Sequence, residues 1–416
     1  MPESKHLRVQ ANILLLVLGL GTMSGPLVGA LRESVQEQAA LSRAELGLWI
    51  FAVGITASAL GLVIGMLMRR TVRTTFVRIA LFANCVGCLL LAAVHPAPGW
   101  ALAPLAAGWF VLRLAKPMGG SSNAIFTDLW ESSPHTGVIL LHAVNSFGKV
   151  AAPLAVLFLG TAVRPTALLF AGLFGLLALD SLFWPAESLR HLRQVEQDRE
   201  EGPRLRIPRS PAVWLCAAQF IFIVGAEGGA TTILGSLVAE RRPVPVDWIP
   251  AARWPATVLL IMLCGILVGR VVFALLSLRM RERSILGICT ACAAFSVPAA
   301  FSGRPAVYLP CLFLMALCYS ATWPAFFALA ARAFPVERTF LSFSAMFFTS
   351  LGLWGGTFLT SAVGNVARRL PHALVAANAL IVPFVLFLFL TPWGRALNGQ
   401  EATAREAELE GERRDG

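Results

Sequence analysis

The sequence predicts an all-α polytopic membrane protein, twelve transmembrane helices in two six-helix bundles, and three observations carry that expectation. Of the 416 residues, 57% are hydrophobic and only 14% are charged. Apolar stretches of about 20 residues, the length that crosses a hydrocarbon core, recur along nearly the whole chain. One long hydrophilic interruption, "ESLRHLRQVEQDREEGPRLRIPRS" at 187–210, separates six such stretches from six more.

The twelve stretches are 12–30, 46–68, 76–95, 100–128, 137–161, 165–185, 211–239, 255–278, 284–303, 306–332, 337–366 and 371–393. The first follows a short basic N-terminus, but it is too long for a signal-peptide core and eleven more follow. Glycine and proline are frequent inside the stretches, as membrane helices tolerate when neighbouring segments satisfy the freed backbone groups. Gly21, Gly25 and Gly29 repeat every four residues in the first, a pattern for close helix contact. The expected organisation is a bundle at 1–186, a cytoplasmic linker at 187–210, a second bundle at 211–395 and a disordered cytoplasmic tail at 396–416. Two repeated bundles of this kind imply a solute pathway between them.

A net charge of +11 invites a nucleic-acid reading. Placing the N-terminus inside puts most of the 34 basic residues in cytoplasmic loops. That asymmetry is the one that orients membrane proteins, so the charge reports topology and no nucleic-acid partner is expected. The chain is expected in the inner (cytoplasmic) membrane, multi-pass, with both termini cytoplasmic, in contact with lipid and as a monomer. All eight cysteines lie in apolar stretches, which implies packing residues and no disulfide framework. No H-E-x-x-H pair and no P-loop occurs, so the reading is of a protein that is not an enzyme and needs no cofactor or metal.

Function is read from charges placed where they are costly. The chain has three lysines against 31 arginines, and two of the three, Lys116 and Lys149, fall inside apolar stretches. With Arg113, Glu227 and Arg270 they lie about 18–24 Å along their predicted helices, near one plane. Each such charge costs at least about 2.5–3.5 kcal/mol at mid-membrane, so it is expected to face a cavity or a partner. His142, Asn145 and Lys149 share one helical face at i, i+3 and i+7; Trp109, Arg113, Lys116, Gly120 and Asn123 form a similar stripe; Gln219, Glu227 and Thr231 lie at compatible angles. Four cations against one acid give a surplus of three positive charges, a field that attracts an anion. Substrate contacts are therefore expected from Lys116, Lys149, Arg113, Asn145, Asn123, His142, Trp109 and Gln219. Glu227 and Arg270 are expected as a proton-coupling group or an ion pair.

The turn after the second stretch, Gly65-Met-Leu-Met-Arg69-Arg70-Thr-Val72-Arg73, resembles the G-x-x-x-D-R-x-G-R loop of the major facilitator superfamily. Arg69 stands in place of its acid and Val72 in place of its second glycine. Arg113, followed by Gly119 and Gly120, resembles the R-x-x-x-G-x-G helix of that family. The stretches "SSNAIFTDLW", "LHAVNSFGKVAAP", "IVGAEGGATTI", "ATWPAFFALA" and "GLWGGTFLTSAVG" are similar to the fucose–galactose–glucose:proton symporter branch and its bacterial relatives. The resemblance implies the major facilitator fold, secondary active transport by alternating access, symport, and a conformational role for Gly65, Arg69, Arg70 and Arg73. Proton symporters of the sugar branch carry an acid in the first helix, and this chain has none there. The leading expectation is therefore transport of a small organic anion, with protons as a candidate coupling partner. The alternatives are a neutral sugar or polyol:proton symporter, a metabolite or drug exporter, and a non-transporting sensor on the same fold.

Overall fold

The computed structural model describes residues 31, 34–67, 73–94, 103–115, 134–160, 162–182, 210–241, 249–277, 280, 282–334, 338–395 and 397. Among these, every regular element is helical. Five helices come from the N-terminal part: α1 (Arg43–Leu67), α2 (Arg73–Ala92), α3 (Ala103–Ala115), α4 (Pro134–Leu159) and α5 (Val163–Leu182). Eight follow: α6 (Pro211–Arg241), α7 (Trp254–Ser277), α8 (Glu282–Cys289), α9 (Cys292–Phe301), α10 (Pro305–Ala333), α11 (Arg338–Val363), α12 (Leu370–Ala379) and α13 (Ile381–Leu390). Nine segments among the described residues are long and apolar enough to cross a membrane.

Two expected spans are interrupted rather than continuous. The ninth divides into α8 and α9 at Thr290–Ala291, where the amides of Thr290 and Ala291 bond three residues back, to Gly287 and Ile288. The Thr290 hydroxyl also donates to the Gly287 carbonyl at 2.6 Å. The twelfth divides at Leu380. Pro383 has no N–H for the Ala379 carbonyl, and α12 ends at that residue. The first expected span and the linker 187–209 lie outside the described residues, and the fourth is described only over α3.

Local chemistry sets where α1 begins. Ser42 and Glu45 form a capping box: the Glu45 amide donates to the Ser42 hydroxyl at 3.2 Å and the Ser42 amide to the Glu45 carboxylate at 2.7 Å. Proline at the first turn starts α10, where a missing N–H costs nothing.

Packing depends on small residues, because lipid-like surroundings give apolar side chains no reason to prefer one another. The parallel helices α6 and α11 meet backbone to backbone. A methyl group added at Gly356 would collide with the Gly225 carbonyl, and one at Gly352 with the Ile221 carbonyl. The parallel pair α7 and α10 closes in the same way, with a methyl at Gly265 falling 2.5 Å from the Phe313 carbonyl oxygen. Antiparallel α1 and α11 interlock where Gly47 receives Ser361 and Gly54 receives the Trp354 ring. Buried apolar side chains gather into two main clusters. One is drawn almost wholly from residues 213–397 with Val150, and the other from residues 31–178 with Ala256 and Trp354.

Gly355 points into open space, with nothing within 4 Å of an added carbon. Gly356→Ala is expected to lower stability by about 1–3 kcal/mol through overpacking. Gly355→Ala is expected to be neutral or to gain the roughly 0.5–1 kcal/mol helix preference of alanine. Thermal unfolding of the two variants in detergent checks the contrast.

Candidate functional site

The glycine contacts place the charged residues. Glu227 lies on α6 beside Gly228, which packs against Leu353 of α11. Arg270 follows Gly269, which packs against Ser320 of α10. Close approach at these glycines brings both side chains onto α4.

Lys149 of α4 forms an ion pair with the Glu227 carboxylate, and both side chains are partly covered, 20% and 17% exposed. Arg270, 6% exposed, grips α4 one and two turns away from that pair. Its guanidinium donates to the His142 carbonyl and to the Ser146 hydroxyl, the latter at 2.6 Å. Its Nε donates to the Ser320 carbonyl at 3.4 Å. The sequence left a Glu227–Arg270 pair open as one expectation. Glu227 bonds Lys149 instead, and Arg270 is held by oxygen dipoles on two helices.

The His142 ring lies 4.5 Å from the Trp323 ring, which stacks on Phe327 at 5.2 Å and donates its N–H to the Thr349 hydroxyl at 2.9 Å. His142 Nε2 is buried with no hydrogen-bond partner among the described residues. Gln219 donates to the Leu215 carbonyl one turn back, at 3.1 Å, while its side-chain oxygen is buried without a donor among the described residues. Asn145 sits on the same stretch of α4, half-buried. Next to Glu227, the Tyr319 hydroxyl donates to Asn378 and lies 3.5 Å from the Ala226 carbonyl.

Arg113 is different. It is 1% exposed, one of the largest fully buried side chains. Its guanidinium carbon lies 4.1 Å from the ring centroids of both Trp109 and Trp354. All three guanidinium nitrogens, and the indole nitrogens of Trp109 and Trp354, are buried without an acceptor among the described residues. Trp354 adjoins Leu353, the residue against Gly228, so Arg113 and Glu227 sit at one level of α11. Lys149, Glu227 and Arg270 thus converge on α4, while Arg113 meets α11 at Trp354.

Lys116, Asn123, Arg69 and Arg70 lie outside the described residues, as does the side chain of Arg73; Gly65 is described only as part of α1. Ser146, Tyr319 and Asn378 were not singled out by sequence. Tyr319 carried a signal: the chain has two tyrosines, and a phenol inside an apolar stretch requires a partner.

With this arrangement in view, the family model described as Major Facilitator Superfamily matches residues 12–359. The chain belongs to that superfamily. This facilitator is a multi-pass membrane transporter, built on the fold that its motifs implied. Among solved structures it is similar to the E. coli fucose:proton symporter FucP, at 19% identity and TM-score 0.60, over 92% of this chain and 99% of that one. It is also similar to a bacterial homolog of the human lysosomal transporter Spinster, at 15% identity and TM-score 0.63, over 92% of this chain and 96% of the other. The human organic anion transporter MFSD10 matches at 15% identity and TM-score 0.62, over 91% and 99% of the two chains. At such identities the likeness shows the fold alone. A comparison with curated protein sequences gives no match.

Removing one member of the central ion pair leaves the other charge without its partner. Lys149→Ala is expected to destabilise by about 2–3 kcal/mol, between the values for exposed and fully buried pairs. The double variant Lys149→Met/Glu227→Leu should recover most of that loss. Unfolding midpoints of the two proteins check it; a loss in the double variant as large as in Lys149→Ala would mean that a stranded Glu227 carries no penalty.

Proposed function

We propose that this facilitator is a secondary active transporter of a small organic anion, working by alternating access around the charged layer. The observation that carries the reading is the set of donors at Arg113 and Trp109. Four buried N–H-bearing nitrogens on touching side chains have no acceptor among the described residues. A buried donor left unpaired costs free energy, and a carboxylate supplies acceptors on two oxygens for the planar guanidinium fork. The charge balance agrees. Arg113, Lys149 and Arg270 against Glu227 leave a surplus of two positive charges in the described part of the layer, and Lys116 adds a third in the sequence.

Glu227 is the proposed proton carrier. A proton on it cancels its attraction for Lys149 and frees the ammonium for the solute. The two buried clusters support an N-terminal and a C-terminal bundle, joined by the 187–210 linker, that rock about this layer. Basic loops support an inner-membrane orientation with both termini cytoplasmic. A neutral sugar is the second reading, favoured by the indole face of Trp323 beside His142 and by the fold shared with a sugar:proton symporter.

The test is thermal unfolding of detergent-purified protein with lactate, gluconate and succinate, set against fucose and galactose. A ligand at a hundred times its Kd stabilises by about 2.7 kcal/mol. Arg113→Met strands no described acid, so it is expected to fold and to lose the shift produced by anions. Stabilisation by the sugars, unchanged in Arg113→Met, would replace the anion reading with the sugar one.

A further inference from the structure

Trp354 is the α11 side chain buried within the N-terminal apolar cluster. Its ring fills the notch at Gly54 of α1, where an added methyl group would lie 2.5 Å from the ring. It meets Trp109 edge to face, centroids 5.6 Å apart and planes at 73°. Arms of 4.1 and 4.1 Å from Arg113 to centroids 5.6 Å apart set the two indoles nearly at right angles around the guanidinium. Arg113 therefore sits in an aromatic corner, one wall from its own helix and the other from α11.

Two opposed effects meet at this ring. The net charge of Arg113 attracts the indole face, and the attraction is stronger for being desolvated. Against it, the Trp354 N–H, wedged toward Gly54, is buried without an acceptor among the described residues, a cost of the same order. The seated position is thus held mainly by a charge that no described residue compensates.

We infer that Trp354 is a charge-reading clasp. It keeps α11 locked onto α1 while Arg113 is unneutralised, and a carboxylate bound to Arg113 releases it. This rests on the anion reading above and adds a coupling step to it. The ring's quadrupole responds to net charge, so a bound carboxylate removes most of the attraction while the buried N–H still favours leaving. The lock also covers the end of the helices where Arg43 pairs with Glu240 and the Ala44 amide donates to Asn365. A solute reaching Arg113 from the opposite end would thereby unlock the end through which it must leave. The empty carrier would stay locked, so exchange would outrun net transport.

The experiment reads the lock with and without ligand. Ser361 is fully buried against Gly47, so Ser361→Cys reports separation of α1 and α11 through maleimide labelling, above the background of the native cysteines. Without ligand, adding Gly54→Ala, Trp354→Leu or Arg113→Met is expected to raise labelling. Gluconate, lactate or succinate, whichever shifts the unfolding midpoint, is expected to raise it in the parent but not in Arg113→Met. Because the clasp competes with the anion, Gly54→Ala and Trp354→Leu should bind that anion more tightly, by about twofold to thirtyfold. Gly54→Ala touches neither Arg113 nor the solute, so a gain there acts through Trp354. Weaker binding in both variants would make Trp354 a wall of the binding site and overturn the clasp, as would labelling unchanged in all three variants. No binding of any anion, with ligand-free labelling raised as expected, would overturn the anion reading and the release step together while leaving the lock.

Discussion

A charge inside an apolar layer must be answered by the protein itself, and the centre of this molecule is arranged around that constraint. Lys149 is answered by Glu227. Arg270 is answered by two carbonyls and a hydroxyl. Tyr319 is answered by Asn378. Each bond ties together helices that are far apart in sequence, so the polar groups also fix how the apolar helices sit. Ridge packing alone leaves their rotation and depth weakly specified, because apolar surface is as content against lipid as against protein. Arg113, which has aromatic faces where the others have oxygen, is the exception.

The constraint is met only because backbones come close. Glu227 reaches Lys149 from a helix that runs against α11 at Gly225, Gly228 and Gly229. Arg270 reaches α4 and α10 from the position after Gly269. A larger residue at any of these places would move the charge away from its partner. The ion pair and the glycine contacts therefore form one structural unit.

Much of this was legible in the sequence, for definite reasons. Stretch lengths are set by bilayer thickness, so eleven of the expected spans correspond to helices or helix pairs in the described residues. The costly positions of Lys149, Glu227 and Arg270 marked groups that needed partners, and each has them. Pairing was not legible. Helical spacing tells which side of its own helix Arg270 occupies, but Ser146 and Ser320 become its partners only through the rotation of α4 and α10. The breaks at Thr290 and Leu380 were missed because hydropathy averages over them, although Pro383 held the cause of the second. The role of Trp354 was not legible either. Its meaning depends on Gly54, three hundred residues earlier, offering a notch of the right size.

Two of the contacts between N-terminal and C-terminal helices differ in chemistry, and the difference bears on transport. Where α4 meets α7, the bonds run from Arg270 to a backbone carbonyl and a hydroxyl, groups that keep their character whatever the solute does. Where α1 meets α11, the fit is steric, glycine against serine and indole, with an ion pair beyond it whose members are partly exposed and so weakly held. A steric fit opens as a unit once its anchor lets go, and a carrier that exchanges solutes must not let go when empty. If Arg113 binds the solute as proposed, an anchor on that cation would make opening conditional on cargo, with no moving part beyond a side chain and the charge beside it.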